Sequence, residues 1–543
     1  MRTLLLLAVL LGLAMVYCDG LDYWKAIKTD PLNWVDRELP REIVDGDQNV
    51  YLPRWNKKDP HFKTFNDEWR QQNFDIKNNN NLGRPWQDGD APTQFFKDQA
   101  YVSDLSKLPT SGQAAAEPWS STYWPIEYGI LSVRYADNEK STFVDDQGSS
   151  LTWNQSIHKY SEPQDFQAAQ SGDLTTYVNT YFSAAEKYDL LVGDTKAFTL
   201  TNNNKQQGSQ YEDANGDVES WMGICHGWSP AAISVPRPQN DVTVTAADGK
   251  TQIKFYADDI RGLASLKYAA TNEDTLFAGG RCNLADKDVP KDPASGLITD
   301  YTCFDINPGS WVIILANQLG VQKKSFVIDA TFDLQVWNQP MYSYTMSYFN
   351  ILSDAAGDLE TSKVKVGDIA NSTSAVMKFI NKMVNSKATH LVGVNMDIVY
   401  IAETSPSHNP PGADRKVKVS YVFTLELDDQ NTIIGGEWLH NQHPDFLWAP
   451  AAGAKPMNDE DNTIASSING DISSPQVLNQ ITQYAQSASA RGEVLDIVIE
   501  YLVKKAAGSN PSLRASLVET EYRRLRNAYE SARNEYSDFL SRN

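Results

Sequence analysis

Cys225 stands in the segment Glu219-Ser220-Trp221-Met222-Gly223-Ile224-Cys225-His226-Gly227-Trp228-Ser229-Pro230-Ala231-Ala232-Ile233. A polar turn with Asn215-Gly216-Asp217 precedes it, and a helix-compatible run of small residues follows. That order predicts a thiol at a helix N-terminus, where the helix dipole favours a thiolate and N–H groups can meet an oxyanion. Such a thiol suits attack on an acyl group, whereas the plain reading of a lone Cys is an inert buried residue. A thiol nucleophile also needs an imidazole within hydrogen-bond reach and a third group to orient it. Seven histidines are available, at 62, 158, 226, 390, 408, 440 and 443. His390 opens an alternating segment that turns near 407–409 and returns opposite Glu426 to Asp428, so it is a candidate base with an orienting carboxylate. The competing reading is a His that merely begins a strand. His226 would point away from the thiol if it lies on the same helix, and His440 and His443 read as loop residues.

Hard oxygen ligands of the kind calcium prefers gather at Asp213, Asn215 and Asp217 and again over 458–462. Neither segment completes a twelve-residue calcium loop, and solvated acidic turns are the plainer reading. There is no zinc spacing, phosphate loop or Gly-x-Ser-x-Gly elbow.

The other cysteines, at 18, 282 and 303, set the context for Cys225. Met1-Arg2, an apolar run from Leu4 to Tyr17 and Cys18-Asp19-Gly20 have the pattern of a cleaved secretory signal over 1–20. A membrane anchor is the alternative, but the run falls short of the ~20 apolar residues that span a bilayer. Cleavage leaves three cysteines, an odd number. Cys282 and Cys303 bracket a polar loop and are the expected disulfide, worth ~3 kcal/mol by loop entropy, which leaves Cys225 as the free thiol. Sequons at Asn154 and Asn371 fit a secreted glycoprotein.

The elements that must position the thiol come from a chain of 543 residues with 41% hydrophobic and 22% charged residues, a globular composition. A formal charge of -21 argues against a nucleic-acid partner, and no membrane partner is expected once the signal is removed. The expected organisation is a signal peptide at 1–20, an aromatic and polar region or propeptide at 21–116, a catalytic α+β core at 117–345, a β-rich hairpin domain at 346–450 and a helical region at 451–543. Within these, Leu174 to Tyr188 reads as helix, and Val242 to Tyr256 and Trp311 to Ala316 as strands. His390 to Ala402, Lys416 to Leu427 and Thr432 to Leu439 read as an antiparallel set. A stripe from Leu513 to Leu540 predicts a last amphipathic helix.

Several motifs resemble the transglutaminase elicitor family of secreted oomycete and bacterial transglutaminases. They are Trp119-Ser120-Ser121-Thr122-Tyr123-Trp124-Pro125, Ala185-Glu186-Lys187-Tyr188-Asp189, the Cys225 segment, Asp305-Ile306-Asn307-Pro308-Gly309, Val336-Trp337-Asn338-Gln339-Pro340, Gly435-Gly436-Glu437-Trp438 and His443-Pro444-Asp445-Phe446. The Trp-Asn-Gln-Pro element is similar to the start of a surface peptide that plants recognise, but Met341-Tyr342-Ser343-Tyr344 departs from it. The resemblance implies a papain-like cysteine acyltransferase core with calcium dependence, acting on protein substrates that carry Gln and Lys. Cys225 matches the family nucleophile and Asp329 the orienting acid, on a hairpin that brings position 312 near it. The family base is implied at the place of Val312, so the alternatives are a secreted pseudoenzyme with a structural or recognition role, and a papain-like protease or glutamine deamidase.

Overall fold

A computed structural model describes residues 20–46, 91–136 and 172–507, apart from 38, 40, 98, 214–215, 217, 271–273, 283, 285–287, 301–302, 333–334 and 468–471. Alternation builds its sheet. In His390–Ala402, Val392, Val394, Met396, Ile398 and Tyr400 are buried, while Asn395, Asp397 and Val399 between them are half-buried. Arg415–Leu427 repeats this with Val417, Val419 and Tyr421 inward and Lys416, Lys418 and Ser420 outward. Period-two burial favours extended chain with one face on a core. The two strands pair antiparallel from His390 opposite Leu427 to Ala402 opposite Arg415, the register the sequence predicts. Across the sheet the order is Arg41–Asp45, Arg415–Leu427, His390–Ala402, Asn338–Phe349, Val327–Asp329, Phe446–Pro450 and Thr275–Gly279.

One core packs on the sheet, with Trp24 and Ile27 from the Gly20–Thr29 helix, Phe95 and Phe96 from Pro92–Phe96, and Trp311 to Leu315 from Pro308–Leu315. A second core is largely helical. It joins Ala184–Leu191, Cys225–Ser234, Ala257–Ala270, Pro475–Ser489 and Asp496–Ala506, and includes Ile401 of the sheet. The Cys225 helix lies where the two layers meet, and its Ser229 hydroxyl donates to the Asn338 carbonyl at 2.5 Å. Buried ion pairs tie the helical layer together: Lys187 with Asp259 at 2.6 Å, and Arg134 with Glu186 at 2.6 Å.

The α+β class holds, but several expected boundaries do not. The division at 345/346 falls inside the Asn338–Phe349 strand, whose neighbours come from both sides of it. The described parts of 21–116 are not a separate unit, because Trp24 and Phe95 sit in the sheet's core and Arg41–Asp45 pairs with Arg415–Leu427. The described part of 451–543 belongs to the helical core. The signal, Asn154 and the stripe from Leu513 lie outside the described residues.

Trp311 to Ala316 is helical rather than a strand. All eight residues of Pro308–Leu315 are buried, so the apolar run carries no period to separate the two states. The start signal decides: the Asn307 side chain accepts from Gly309 N, and Pro308 occupies the first turn. Likewise Leu174 to Tyr188 divides into Leu174–Tyr181 and Ala184–Leu191, because Ser183 and Glu186 form a capping box. Among the described residues no helix is long and apolar enough to cross a membrane.

The Cys225 helix approaches Ala257–Ala270 so closely that a Cβ on Gly227 would lie 2.2 Å from the Ser265 carbonyl oxygen. Gly227→Ala is therefore expected to destabilise the fold by about 1–3 kcal/mol through overpacking. Thermal or denaturant unfolding checks this, and an unchanged midpoint would contradict the close approach.

Candidate active site

Cys225 is the first residue of its helix and is 5% exposed. The chain reaching it is pinned to the Tyr123 segment. Ile224 N donates to Tyr123 O at 2.7 Å, and Gly223 pairs with Pro125 in an isolated bridge. A Cβ on Gly223 would lie 2.4 Å from Tyr123 O, so this approach requires glycine. On the following turn, Trp228 Nε1 donates to Trp119 O at 3.0 Å. The small and aromatic residues around the thiol thus act as spacers and struts.

The sulfur is held from the sheet side. The Cys225 thiol donates to Val336 O at 3.6 Å and accepts from Asn338 Nδ2 at 3.5 Å. Asn338 Oδ1 accepts from Trp448 Nε1 at 2.8 Å. An indole can only donate, so this contact orients the amide with its NH2 towards sulfur. The amide donor and the helix N-terminus both favour negative charge at this place, on sulfur or on an acyl oxygen. Trp337 packs edge-on to Tyr123 with ring centroids 5.1 Å apart, beside the thiol's contacts.

Asp329 lies directly opposite Asn338 in the sheet, and opposed residues project to the same face. Its Oδ1 accepts from Trp337 N at 2.9 Å, Thr331 N at 3.1 Å and Thr331 Oγ1 at 2.5 Å. The structure therefore gathers Cys225 and Asp329 around Asn338. Asn338 is the residue that reading the sequence for titratable groups passes over, although it stands in the Val336 to Pro340 motif. That motif is not a surface peptide here: Trp337, Asn338 and Gln339 are all buried.

His390 does not join them. Tyr400 lies opposite Met341, close to Asn338, whereas Gly393 lies opposite Phe349. At ~3.3 Å per residue the strand carries His390 roughly 35–40 Å from the Asn338 end. There its Nδ1 meets Thr389 Oγ1 at 2.9 Å. Glu426 and Leu427 come opposite it as expected, but far from the thiol. Val312 is also misplaced as a lost base, since it is fully buried in a helix of the other core, and the 311–331 hairpin does not form. His408 stacks on Tyr256 at 3.7 Å, His440 packs against Tyr23, and His443 stacks on Trp438 and faces Asp305 at 3.5 Å.

Among the described residues no group of three or more His, Cys, Asp or Glu is arranged to hold a metal ion. Asn215 and Asp217 lie outside those residues, and Asp213 takes part in a turn closed by Gly216 N. The acidic run over 458–462 starts a helix instead: Asn458 Oδ1 accepts from Asp461 N, Asp461 accepts from Asp496 N, and Glu460 pairs with Arg491. Cys282 and Cys303 form the expected disulfide, and Cys225 is in no disulfide among the described residues. Asn371 is exposed.

Residues 92–468 match a family model described as transglutaminase elicitor. Among solved structures, the GP42 transglutaminase from Phytophthora sojae is similar at 21% identity and a TM-score of 0.48, covering 79% of this chain and 100% of that one. No curated protein matches.

Burial raises the Asp329 carboxyl to about 7, against the opposing pull of its Thr331 and Trp337 donors and of Arg281. Its Oδ2 is buried without a hydrogen-bond partner among the described residues, so no donor stabilises negative charge on that oxygen. A carboxyl raised on folding contributes stability that is full below its unfolded value near 4 and is lost as pH rises through about 7. Asp329→Asn is expected to flatten that part of the stability profile. Unfolding midpoints of both proteins from pH 4 to 8 check it, and parallel profiles would refute the assignment.

Proposed function

The chain belongs to the transglutaminase elicitor family, and we propose that it is a secreted protein-glutamine acyltransferase with Cys225 as nucleophile. The observation that carries this reading is the hold on the sulfur. A thiol at a helix N-terminus takes an amide N–H whose direction is set by a buried indole. Sulfur attacks the side-chain carbonyl carbon of a Gln, the C–N bond breaks, and ammonia leaves with the thiol's proton. A Lys amine then attacks the thioester, forming the isopeptide bond and returning the thiol; water in its place would give deamidation. Asn338 Nδ2 and the helix start supply donors to the developing oxyanion. Asp329 acts as an orienting group, since it grips the Trp337 backbone next to Asn338. This is a papain-like division of labour, with the nucleophile on a helix and its supports on a sheet. Secretion is supported by the signal pattern and by the disulfide, which suits an oxidising compartment.

A second reading, a recognition protein retaining a relic thiol, draws on the low exposure of Cys225, its S–H contact to Val336 O and the distance of His390, the expected base, from the thiol. Incorporation of a fluorescent primary amine into a Gln-bearing protein separates the two. The intact chain should incorporate amine, and Cys225→Ser should abolish it. Asn338→Ala, compared at a temperature where both proteins are folded, should slow it ~10²–10³-fold while lowering the thermal midpoint, because Trp448 Nε1 loses its acceptor. No incorporation by the intact chain, with or without added calcium, would favour the recognition protein.

A further inference from the structure

One residue beyond Asn338, the sheet carries a second buried polar contact that the acyl transfer does not use. Gln339 is 2% exposed and donates from Nε2 to Glu403 Oε1 at 2.5 Å, and Glu403 is 7% exposed. The other acceptor of each side chain, Gln339 Oε1 and Glu403 Oε2, is buried without a hydrogen-bond partner among the described residues. Two such acceptors in one contact are costly, because buried polar atoms are ordinarily paired. One added proton resolves both. A carboxylic acid and a primary amide close a two-point ring, with N–H donating one way and O–H the other.

We infer that Glu403 is held as a neutral carboxylic acid in a two-point pair with Gln339, and that this pair positions the strand start that presents Asn338 to Cys225. Gln339 is bonded to Asn338 in the chain, and Glu403 follows directly on the His390–Ala402 strand that pairs with Asn338–Phe349. The contact therefore clamps the two strands at the end nearest the thiol.

Other groups facing Glu403 bear on its charge. Arg415, at the start of its strand, donates Nη1 to the Glu403 backbone carbonyl at 3.3 Å. Arg41 approaches from the edge strand, and Tyr400 from the strand that Glu403 follows. Burial raises the carboxyl, and Gln339, the Glu403 backbone N–H and the two arginines offset this only in part.

The inference concerns position rather than turnover, so its test does not need an active enzyme. Glu403→Gln in the full chain replaces the O–H by an N–H and keeps the ring without a titrating proton. Glu403→Ala removes the ring. Wild type and Glu403→Gln are expected to have matching thermal midpoints below about pH 5, near the unfolded range of Glu. As pH rises, the wild type should fall progressively below Glu403→Gln, because a raised carboxyl loses its contribution through its folded value. The alkylation rate of Cys225 by iodoacetamide, read by peptide mapping, should separate over the same pH range. The infrared spectrum at neutral pH should lose a protonated-carboxyl band in Glu403→Gln. Glu403→Ala should be weaker at every pH. If Glu403→Gln instead lowers the midpoint at every pH as Glu403→Ala does, or if the carboxyl band is unchanged, Glu403 is the ionised counter-charge of Arg415 and Arg41 and the inference fails.

Discussion

The Asn338 side chain, set between the Cys225 sulfur and the Trp448 indole, is the contact on which the geometry of the site depends. It joins a helix of one core to two strands of the sheet, and its backbone carbonyl takes the Ser229 hydroxyl from the next turn of the same helix. An amide can serve two neighbours of opposite need because it has a donor end and an acceptor end. Neither a carboxylate nor an aliphatic residue would satisfy both. The sheet is thus fastened to the helix at the residue that approaches the Cys225 thiol, so a shift between the layers would disturb the sulfur's surroundings first.

Sequence legibility follows the range of the physics. Strands with a period-two pattern, such as His390–Ala402 and Arg415–Leu427, are readable together with their register, because the alternation names the buried face and the loop limits the pairing. The helix start at Cys225 is readable because small residues and a preceding polar turn are local signals. Trp311 to Ala316 is not, because a run buried on all sides has no period, and the Asn307-Pro308 start must outweigh its β-branched residues. His390 shows the same limit at the site. Its pairing with the 426–427 region is local and correct, but which end of a strand meets the thiol is settled by packing between elements distant in sequence. Asn338 is hidden for a different reason. An uncharged amide draws attention only when its partners are known, and these come from residues more than a hundred positions away.

Charge burial separates the two layers. In the helical layer, Lys187–Asp259 and Arg134–Glu186 are ion pairs formed by the Glu186-Lys187 motif, and each charge has an opposite within contact distance. Pairs of this kind add little net stability, but losing one member would strand the other. At the sheet end near the thiol the pattern is different. Asp329 and Glu403 are both buried and both raised, and their nearest bonded partners are hydroxyl, amide and backbone donors. Burial disfavours negative charge on both carboxyls, which leaves the electropositive end of the Cys225 helix less opposed than fully ionised carboxylates would.

The resting thiol is also consistent with a site that is held without being locked. Its S–H points at the Val336 carbonyl over 3.6 Å, and a thiol is a weak donor, so giving up that contact costs little. The Asn338 N–H remains on the sulfur when the proton departs and then faces a better acceptor than before, since a hydrogen bond to a charged group is stronger than one to a neutral group. The balance between the two contacts shifts towards the thiolate without any rearrangement of the helix or the strand. Trp337 and Tyr123 adjoin the residues that touch the sulfur, and the thiol is nearly buried, so the proposed Gln side chain would need cover displaced to reach it. Trp337 is held by its backbone to Asp329 and by its ring to Tyr123 and Gln335, while Asn338 is anchored separately to Trp448.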